Sequence, residues 1–270
     1  MPIRNLVDQV EPASHTIAVV NDDEPGPLEA MLADAFDGDQ FEVETSADAE
    51  TVLRDALEPA VDDTPAIGEE GLAVLLEDGE PVATSSMAAL YDSLLAINSD
   101  LFVTGTRGLG EIELPDVLAG LEDTRLSLRG YPLAHKEKLL LIIVSRYVEQ
   151  LAWEGGSGTL RSAFQTLSRI DDEIGTREVY EQLAATDVDV HVYGVDDGVG
   201  DSLEPTVHAG AGPRYRRSWF VVYRPDEAAR SETESGALVC HETEPRVWDG
   251  FYTFDAERVR EIDDAIAGGL

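Results

Sequence analysis

The sequence predicts an α/β fold, with a mostly parallel sheet flanked by helices. Runs with apolar residues at helical spacing alternate along the chain with short strand-like runs. This alternation is typical of parallel strands joined by helices. A chain of 270 residues with 43% hydrophobic residues is also long and apolar enough to bury a core without disulfides. One exception to the parallel pattern is a β-hairpin near residues 72–84, where Asp78-Gly79 separates two apolar runs and favours a type I′ turn.

The N-terminal half supplies the first elements in order. A strand ends near Val20, just before the acidic pair Asp22 and Asp23. Helices are predicted on either side of a strand in FEVET and again after the hairpin. The last strand of this half is predicted in TRLSLRG. The predicted helices are 27–36, 48–57, 87–97 and a short one in LPDVLAGL, and DLFVTG is a further strand.

The segment from His135 to Val195 is a unit of helix, strand, helix and strand. Its first helix carries an apolar stripe that includes Leu140, Val144, Tyr147, Val148 and Leu151. Ser145, Arg146, Glu149 and Gln150 fall outside that stripe. Strands in RRSWFVVY, ALVCHE and GFYTF follow, and a closing helix has Asp255 as its expected N-cap and Val259, Ile262 and Ile266 on its buried side.

The charge balance is strongly acidic, with 55 acidic and 19 basic residues and a net charge of −36. Because the acidic residues are spread along the whole chain, they favour a hydrated surface of the kind found in cytoplasmic proteins of extreme halophiles. With no extended basic face, nucleic-acid binding is not expected. The longest apolar run, Leu139–Val144, is too short to span a bilayer, and MPIRNLVDQVEPAS lacks a signal-peptide core, so we expect a cytoplasmic protein without membrane association.

Sequence motifs of catalysis are weak. The single cysteine, Cys240, excludes an internal disulfide and a CxxC metal site and is expected to be a small buried residue. The glycine-rich run at Asp196–Gly200 is interpreted as a turn rather than as part of an ATP site. Walker A, HExxH and GxSxG patterns do not occur. We therefore expect no enzymatic activity and no metal site in the main interpretation, and the sequence does not identify a cofactor.

Several short blocks of the C-terminal half resemble the DICT family of sensory domains, which is named for diguanylate cyclases and two-component systems. The blocks are LLLIIVSRYVEQLA, GTLRSAFQTLSRI, TREVYEQLAATDVDVHVYGV, RRSWFVVY, ALVCHE and GFYTFDAERVREI. The resemblance implies signal sensing and transfers no catalytic residue. It suggests an N-terminal α/β half at 1–130 and a DICT-like half at 131–270, either separate or packed as one domain. No output pattern is visible, so signalling in trans is expected, to a histidine kinase or another output protein, with a homodimer left open.

The N-terminal half also resembles, faintly, a response-regulator receiver. IAVVNDDEP is similar to the first strand and acidic pair of a receiver, in which Asp22 and Asp23 would hold Mg²⁺. The position of Asp78 in a hairpin turn argues against a phosphoacceptor there. A receiver-like phosphoprotein is therefore the alternative hypothesis, and a solvated turn at Asp22-Asp23 is the preferred one.

Candidate ligand contacts come from polar and aromatic residues of the C-terminal half. His191 and Tyr193 lie on the polar face of a strand, and Arg217 belongs to a rare basic cluster just before an aromatic strand. Guanidinium groups there can bind an anion or pair with the protein's own carboxylates. The candidate set is Phe164, Gln165, Tyr180, His191, Tyr193, Arg217 and Trp219.

Overall fold

The computed structural model describes residues 3–10, 15–20, 41–45, 71–96, 112–129, 137–171, 176–227, 233–245 and 247–270. The strands are β1 His15–Val20, β2 Phe41–Thr45, β3 Leu72–Glu77, β4 Glu80–Ser86, β5 Leu126–Arg129, β6 Ser157–Thr166, β7 Asp187–Val195, β8 Thr206–Ala209, β9 Ser218–Arg224, β10 Gly236–Glu244 and β11 Val247–Thr253. The helices are α1 Ile3–Val7, α2 Met87–Ala96, α3 Asp116–Ala119, α4 Glu137–Gly155, α5 Thr176–Ala184, α6 Pro213–Arg216 and α7 Ala256–Gly269. Two 3-10 helices span Leu167–Asp171 and Gly200–Ser202.

The described strands form two sheets, and the prediction of a mostly parallel sheet is wrong. A four-stranded sheet has the order β2-β1-β3-β4, and a seven-stranded sheet has the order β5-β11-β10-β9-β6-β7-β8. In the larger sheet β6–β7 and β7–β8 are parallel, while the neighbours from β5 through β6 pair antiparallel. Strands β9, β10 and β11 follow one another, and the described residues between them contain no helix. Chain-adjacent strands joined by short loops pair antiparallel, because only a crossover connection allows parallel pairing.

The predicted hairpin is confirmed. Strands β3 and β4 pair antiparallel around a two-residue turn. Asp78 and Gly79 have φ values of 51° and 86°, which are the positive angles that a type I′ turn requires at both central positions. The acidic pair Asp22-Asp23, the predicted helices 27–36 and 48–57 and the strand in DLFVTG lie outside the described residues. The predicted receiver site therefore stays a prediction.

Helices cover both faces of the seven-stranded sheet. Helix α4 packs on β6, β9 and β10, and α5 packs on β7, which defines the α4 face. Helices α1 and α7 pack on the opposite side, against β9, β10 and β11, which defines the α7 face. Alternation along β9 separates the two cores, since Val221 and Tyr223 join the α4 side while Phe220 and Val222 join the α7 side.

The α4-side core also contains residues of the smaller sheet, among them Ile17 and Leu75. Strand β5, which lies within the first 130 residues, pairs with β11 of the larger sheet. The division at residue 130 into two halves remains a prediction. Within the described residues, no helix is long and apolar enough to span a bilayer.

The closing helix α7 begins as predicted. The Asp255 side chain accepts a hydrogen bond from the backbone N–H of Arg258 at 2.8 Å and so caps the helix. Val259, Ile262 and Ile266 are buried against the sheet. Burial of each such side chain contributes about 1.5–3 kcal/mol. The fourth buried residue of this helix is Asp263, which the apolar pattern does not predict.

Helix α4 is buried on more sides than its apolar stripe predicts. The stripe residues Leu140, Val144, Val148 and Leu151 are buried, and Tyr147 is half-buried. The residues placed outside the stripe are buried too: Ser145, Arg146, Glu149 and Gln150. A buried charged residue needs a partner to offset its loss of hydration. The partners of Arg146 and Glu149 form the first part of the candidate site.

Candidate functional site

A buried polar cluster joins α4, β6 and α5 on the α4 face of the large sheet. Its members, called here the tyrosine cluster, are Arg146, Glu149, Ser162, Thr176 and Tyr180. Arg146 donates to the Glu149 carboxylate at 2.6 Å and to the Thr176 hydroxyl at 2.5 Å. The Tyr180 hydroxyl lies 2.8 Å from the other Glu149 oxygen and 2.6 Å from the Ser162 hydroxyl. Three separate elements are thus connected by one network.

The proton positions in the tyrosine cluster follow from its chemistry. A carboxylate only accepts, so the Tyr180 O–H donates to Glu149 and accepts from Ser162. Burial, followed by the nearby Glu149 carboxylate, raises the pKa of Tyr180 well above its ordinary value. Tyr180 therefore stays protonated. Because its members are paired and shielded from water, the tyrosine cluster is suited to holding α4 and α5 in place.

Strand β6 has a bulge at Phe164 and Gln165. Ala163 pairs with Tyr193 and Thr166 pairs with Val195, so that two residues of β6 oppose the single residue Gly194 of β7. Gln165 has a φ of 60°, the left-handed region that glycine tolerates best. For other residues this conformation costs about 1–2 kcal/mol. The bulge therefore holds strained backbone at one of the predicted site residues.

Gln165 is also polar and buried, with 7% of its surface exposed. Its side-chain amide makes no hydrogen bond to the residues that the structure describes, and it is not one of the buried side-chain atoms that lack a partner, so the amide reaches solvent. An amide that reaches solvent can hydrogen-bond to water. The left-handed backbone of Gln165 is the observation that packing does not explain, and backbone strain of this kind clusters at binding sites.

The bulge lies at the carboxyl ends of the parallel strands β6 and β7, next to the antiparallel strand β9. Ligands of open α/β sheets commonly bind at the carboxyl ends of parallel strands. Ser168 and Asp197 follow these two strands and bridge the same edge, with the Ser168 backbone N–H donating to the carboxylate at 3.0 Å. The Ser168 hydroxyl donates to the same carboxylate, and these contacts lower the pKa of Asp197.

The structure divides the predicted site residues between the two faces. Phe164 and Tyr180 lie on the α4 face, with their rings edge to face and their centroids 5.2 Å apart. Trp219 is half-buried on the same side of β9. Ser162 of β6 pairs with Val221 of β9. Phe164 and Trp219 are each two residues further along in the same direction, so their side chains are on the same face of these neighbouring strands. These aromatic residues and Gln165 form what we call the bulge site: Phe164, Gln165, Tyr180 and Trp219.

His191 and Tyr193 lie on the α7 face instead, as part of a second cluster. The His191 Nδ1 atom lies 2.9 Å from the His208 Nε2 atom, and the His191 Nε2 atom lies 3.0 Å from an Asp189 oxygen. The His208 ring stacks on Tyr193, with centroids 4.4 Å apart. Arg161 donates to the Tyr193 hydroxyl at 2.9 Å and to Asp263 of α7 at 2.6 Å. We call this set the histidine cluster: Arg161, Asp189, His191, Tyr193, His208 and Asp263.

The predicted basic cluster lies on α6 and directly after it, and its described contacts are with the end of α7 and with β10. Arg217 is exposed at the start of β9, away from both clusters in its contacts, and its backbone carbonyl accepts from the Glu242 N–H. Arg214 donates to the carbonyl of Gly269 at the end of α7, and Tyr215 donates to the carbonyl of Leu270. These two contacts stabilise the C-terminal end of α7, where carbonyls lack partners within the helix.

Eight of the eleven cluster members were not among the predicted site residues. Arg146 and Glu149 were placed outside the apolar stripe of α4, and Arg161, His208 and Asp263 were not considered. The available signal was opposite charge at i and i+3 for Arg146 and Glu149, which is more often found on exposed helix faces. In the described part of the chain, no group of three or more His, Cys, Asp or Glu residues is arranged to hold a metal ion. Cys240 is buried, as expected, and burial raises the pKa of its thiol.

The comparison with protein families matches this region. Residues 117–243 match the family model DICT, described as the sensory domain in diguanylate cyclases and two-component system proteins. This match to the DICT family covers 127 of the 270 residues. The matched DICT segment runs from α3 into β10, and it contains the tyrosine cluster and the bulge site. DICT is a sensory domain of signalling proteins, and the strained bulge lies within the matched segment.

Other comparisons add little. No curated protein matches the chain. One solved structure is similar, the crystal structure of polyphosphate kinase from Porphyromonas gingivalis, with 11% sequence identity and a TM-score of 0.32. That match covers 98% of this chain and 47% of the kinase chain. A TM-score this low supports no conclusion about fold or activity.

Proposed function

We propose that this protein is a non-enzymatic sensor whose DICT domain binds a small ligand at the bulge site and signals in trans. The observation that carries the proposal is Gln165, which has left-handed backbone and an amide that reaches solvent without a protein hydrogen bond, inside the segment that matches DICT. A ligand can hydrogen-bond to this amide in place of water. The half-buried rings of Phe164, which precedes Gln165 in β6, and of Trp219, which is on the neighbouring strand β9, supply apolar contact area.

The tyrosine cluster offers a path from the bulge to the helices. Phe164 contacts the Tyr180 ring, and the Tyr180 hydroxyl contacts Glu149 on α4. Ligand binding that shifts Phe164 therefore acts on a side chain that both α4 and α5 depend on. The receiving partner we propose is a histidine kinase or another protein of two-component or cyclic-nucleotide signalling, in keeping with the family description. We propose that this takes place in the cytoplasm.

The first experiment is native mass spectrometry of the full chain, kept in high salt until the final exchange. The wild-type protein is expected to retain a bound small molecule, which the mass identifies. The purified molecule is then titrated into wild type and into Gln165→Gly, which removes the amide and relieves the strained φ. We expect binding to weaken at least about tenfold, the loss of one buried hydrogen bond.

Gln165→Asn and Gln182→Ala are the matched variants. Asparagine tolerates left-handed backbone and keeps a carboxamide, so partial binding is expected. Gln182 is an exposed glutamine on α5, and its replacement should leave binding unchanged. Equal affinity in wild type and Gln165→Gly would contradict a ligand site at the bulge, and a wild-type protein that carries no ligand and binds none from a metabolite panel would contradict the sensor proposal.

A further inference from the structure

The proton positions in the histidine cluster can be assigned from its contacts. The Asp189 carboxylate accepts only, so the His191 Nε2 atom carries a proton and donates to it. The Nδ1 atom of neutral His191 is then an acceptor, and His208 donates its Nε2 proton to it across 2.9 Å. Donation thus runs in one direction, from His208 to His191 to Asp189.

This arrangement accommodates one extra proton but not two. When His191 is protonated, its Nδ1 becomes a donor, and neutral His208 changes tautomer and accepts. When both rings are protonated, two N–H groups face each other across the contact, and the like charges repel. The 2.9 Å contact between the rings therefore breaks at the second protonation.

The groups around His208 affect the second protonation of the pair. Burial is the largest of the causes that lower the pKa of His208, and the charges of His191 and Arg161 lower it further. The charge of Asp189 raises it. The titratable and charged groups that face the pair from its neighbouring elements are Asp189, His191 and Tyr193 on β7, Arg161 on β6, Tyr215 on α6 and Asp263 on α7.

The His191–His208 contact is connected to further interactions that lead to helix α7. His208 lies on β8, an edge strand that pairs only with β7 among the described strands. Its ring stacks on Tyr193, whose hydroxyl accepts from Arg161, and Arg161 in turn holds Asp263 of α7. Release of His208 therefore uncovers the residues that attach α7 to the sheet. Helix α7 and the edge strand are thus linked through one face.

We propose that the His191–His208 pair is a proton-binding site that makes strand β8 and the attachment of helix α7 respond to pH. The pair is closed while it holds at most one extra proton and opens when it takes up the second. This site is on the α7 face and its operation does not rest on the bulge site. It would give the protein an input, acidification, that is separate from a small ligand.

The test is hydrogen exchange of the full chain between pH 7.5 and pH 5, corrected for the intrinsic dependence of exchange on pH. If opening of the His191–His208 pair takes up one proton, the fraction of open molecules rises about tenfold for each pH unit below about 6.5, the ordinary pKa of histidine. We expect the exchange rate of the β8 amides to rise in this way, with a smaller rise for the α7 amides and no rise for the α4 amides. Circular dichroism at each pH monitors global folding.

Two variants and a control decide the outcome. His208→Gln and His191→Gln each leave a hydrogen-bonding side chain that does not titrate, so the pH-dependent rise in β8 should disappear in both. His241→Gln removes a histidine of β10 that is outside the histidine cluster, and it should keep the rise. A wild-type protein with no rise in β8, or a rise that persists in either cluster variant, would overturn the proposal.

Discussion

The two faces of the large sheet carry polar clusters of opposite character. In the tyrosine cluster, Glu149 is 3% exposed and Tyr180 is 1% exposed, and both are paired. In the histidine cluster Asp263 is buried as well, but at its other end the Asp189 side chain is 66% exposed and the His191 side chain 14%. A closed network cannot exchange protons or partners without local unfolding, whereas a cluster in contact with water can. The first is suited to transmitting a displacement, and the second to direct titration.

The largest expected effect comes from breaking the closed network. Arg146→Met leaves the buried Glu149 carboxylate without its cation, and a buried charge without a partner costs about 3–5 kcal/mol. The free energy of unfolding, measured by urea denaturation in high salt, should fall by that amount. The double variant Arg146→Met/Glu149→Leu removes both charges and should recover most of it.

The matched control is Arg216→Met, because Arg216 is exposed on α6 and makes no ion pair among the described residues. Its effect on the free energy of unfolding should stay below about 0.5 kcal/mol. If the double variant were as unstable as Arg146→Met, the loss would come from packing rather than from the unpaired charge. That result would remove the stated reason for calling the network closed.

Asp263→Asn tests the more open face. Asp263 of α7 is 1% exposed and accepts from Arg161 at 2.6 Å and from Arg224 at 2.9 Å. The amide keeps the shape and loses the charge that both arginines face. We expect a loss of about 2–3 kcal/mol, less than for Arg146→Met, because the Arg224 side chain is 30% exposed and water can hydrate it.

Hydrogen exchange should locate that loss, since α7 amides are expected to exchange faster while α4 amides do not change. The neighbouring Asp264 also contacts Arg224 but is 69% exposed, so Asp264→Asn is the control, with an effect below about 1 kcal/mol. Equal effects of the two substitutions would show that burial of Asp263 contributes nothing to holding α7.

Local sequence signals predicted the parts of this fold that depend on near neighbours. Asp78-Gly79 gave the hairpin because its positive φ angles are a property of those residues, and Asp255 gave the start of α7 because capping is local. Strand direction in the large sheet was not predictable in this way, because alternation of apolar residues is the same in parallel and antiparallel pairs.

The clusters show a second limit of sequence reasoning. Arg146 and Glu149 are residue types typical of an exposed helix face. Glu149 instead contacts Tyr180, which is 31 residues away in the chain, and Tyr180 contacts Ser162, which is 18 residues away from it. The Phe164-Gln165 pair was selected from its position in the strand. The left-handed φ of Gln165 was not predictable, because glutamine is not a residue that favours it.

The smallest expected effect concerns the bulge on β6, the strand that supplies Ser162 to one cluster and Arg161 to the other. Gln165→Gly relieves the left-handed strain of about 1–2 kcal/mol, and the greater freedom of glycine in the unfolded chain offsets about half of this. Without ligand, we expect the free energy of unfolding to rise by about 1 kcal/mol. Gln165→Ala removes the amide but keeps the strain, so it should be about 1 kcal/mol less stable than Gln165→Gly.

A stabilising substitution at a candidate binding residue would show that this residue is retained at a cost to the fold, as expected when activity and stability compete. If Gln165→Gly were instead less stable than wild type, the glutamine side chain would be contributing more through its packing than its backbone costs. The bulge would then be a structural feature that joins the two faces of the sheet, and the ligand site would have to be sought at the exposed side of the histidine cluster.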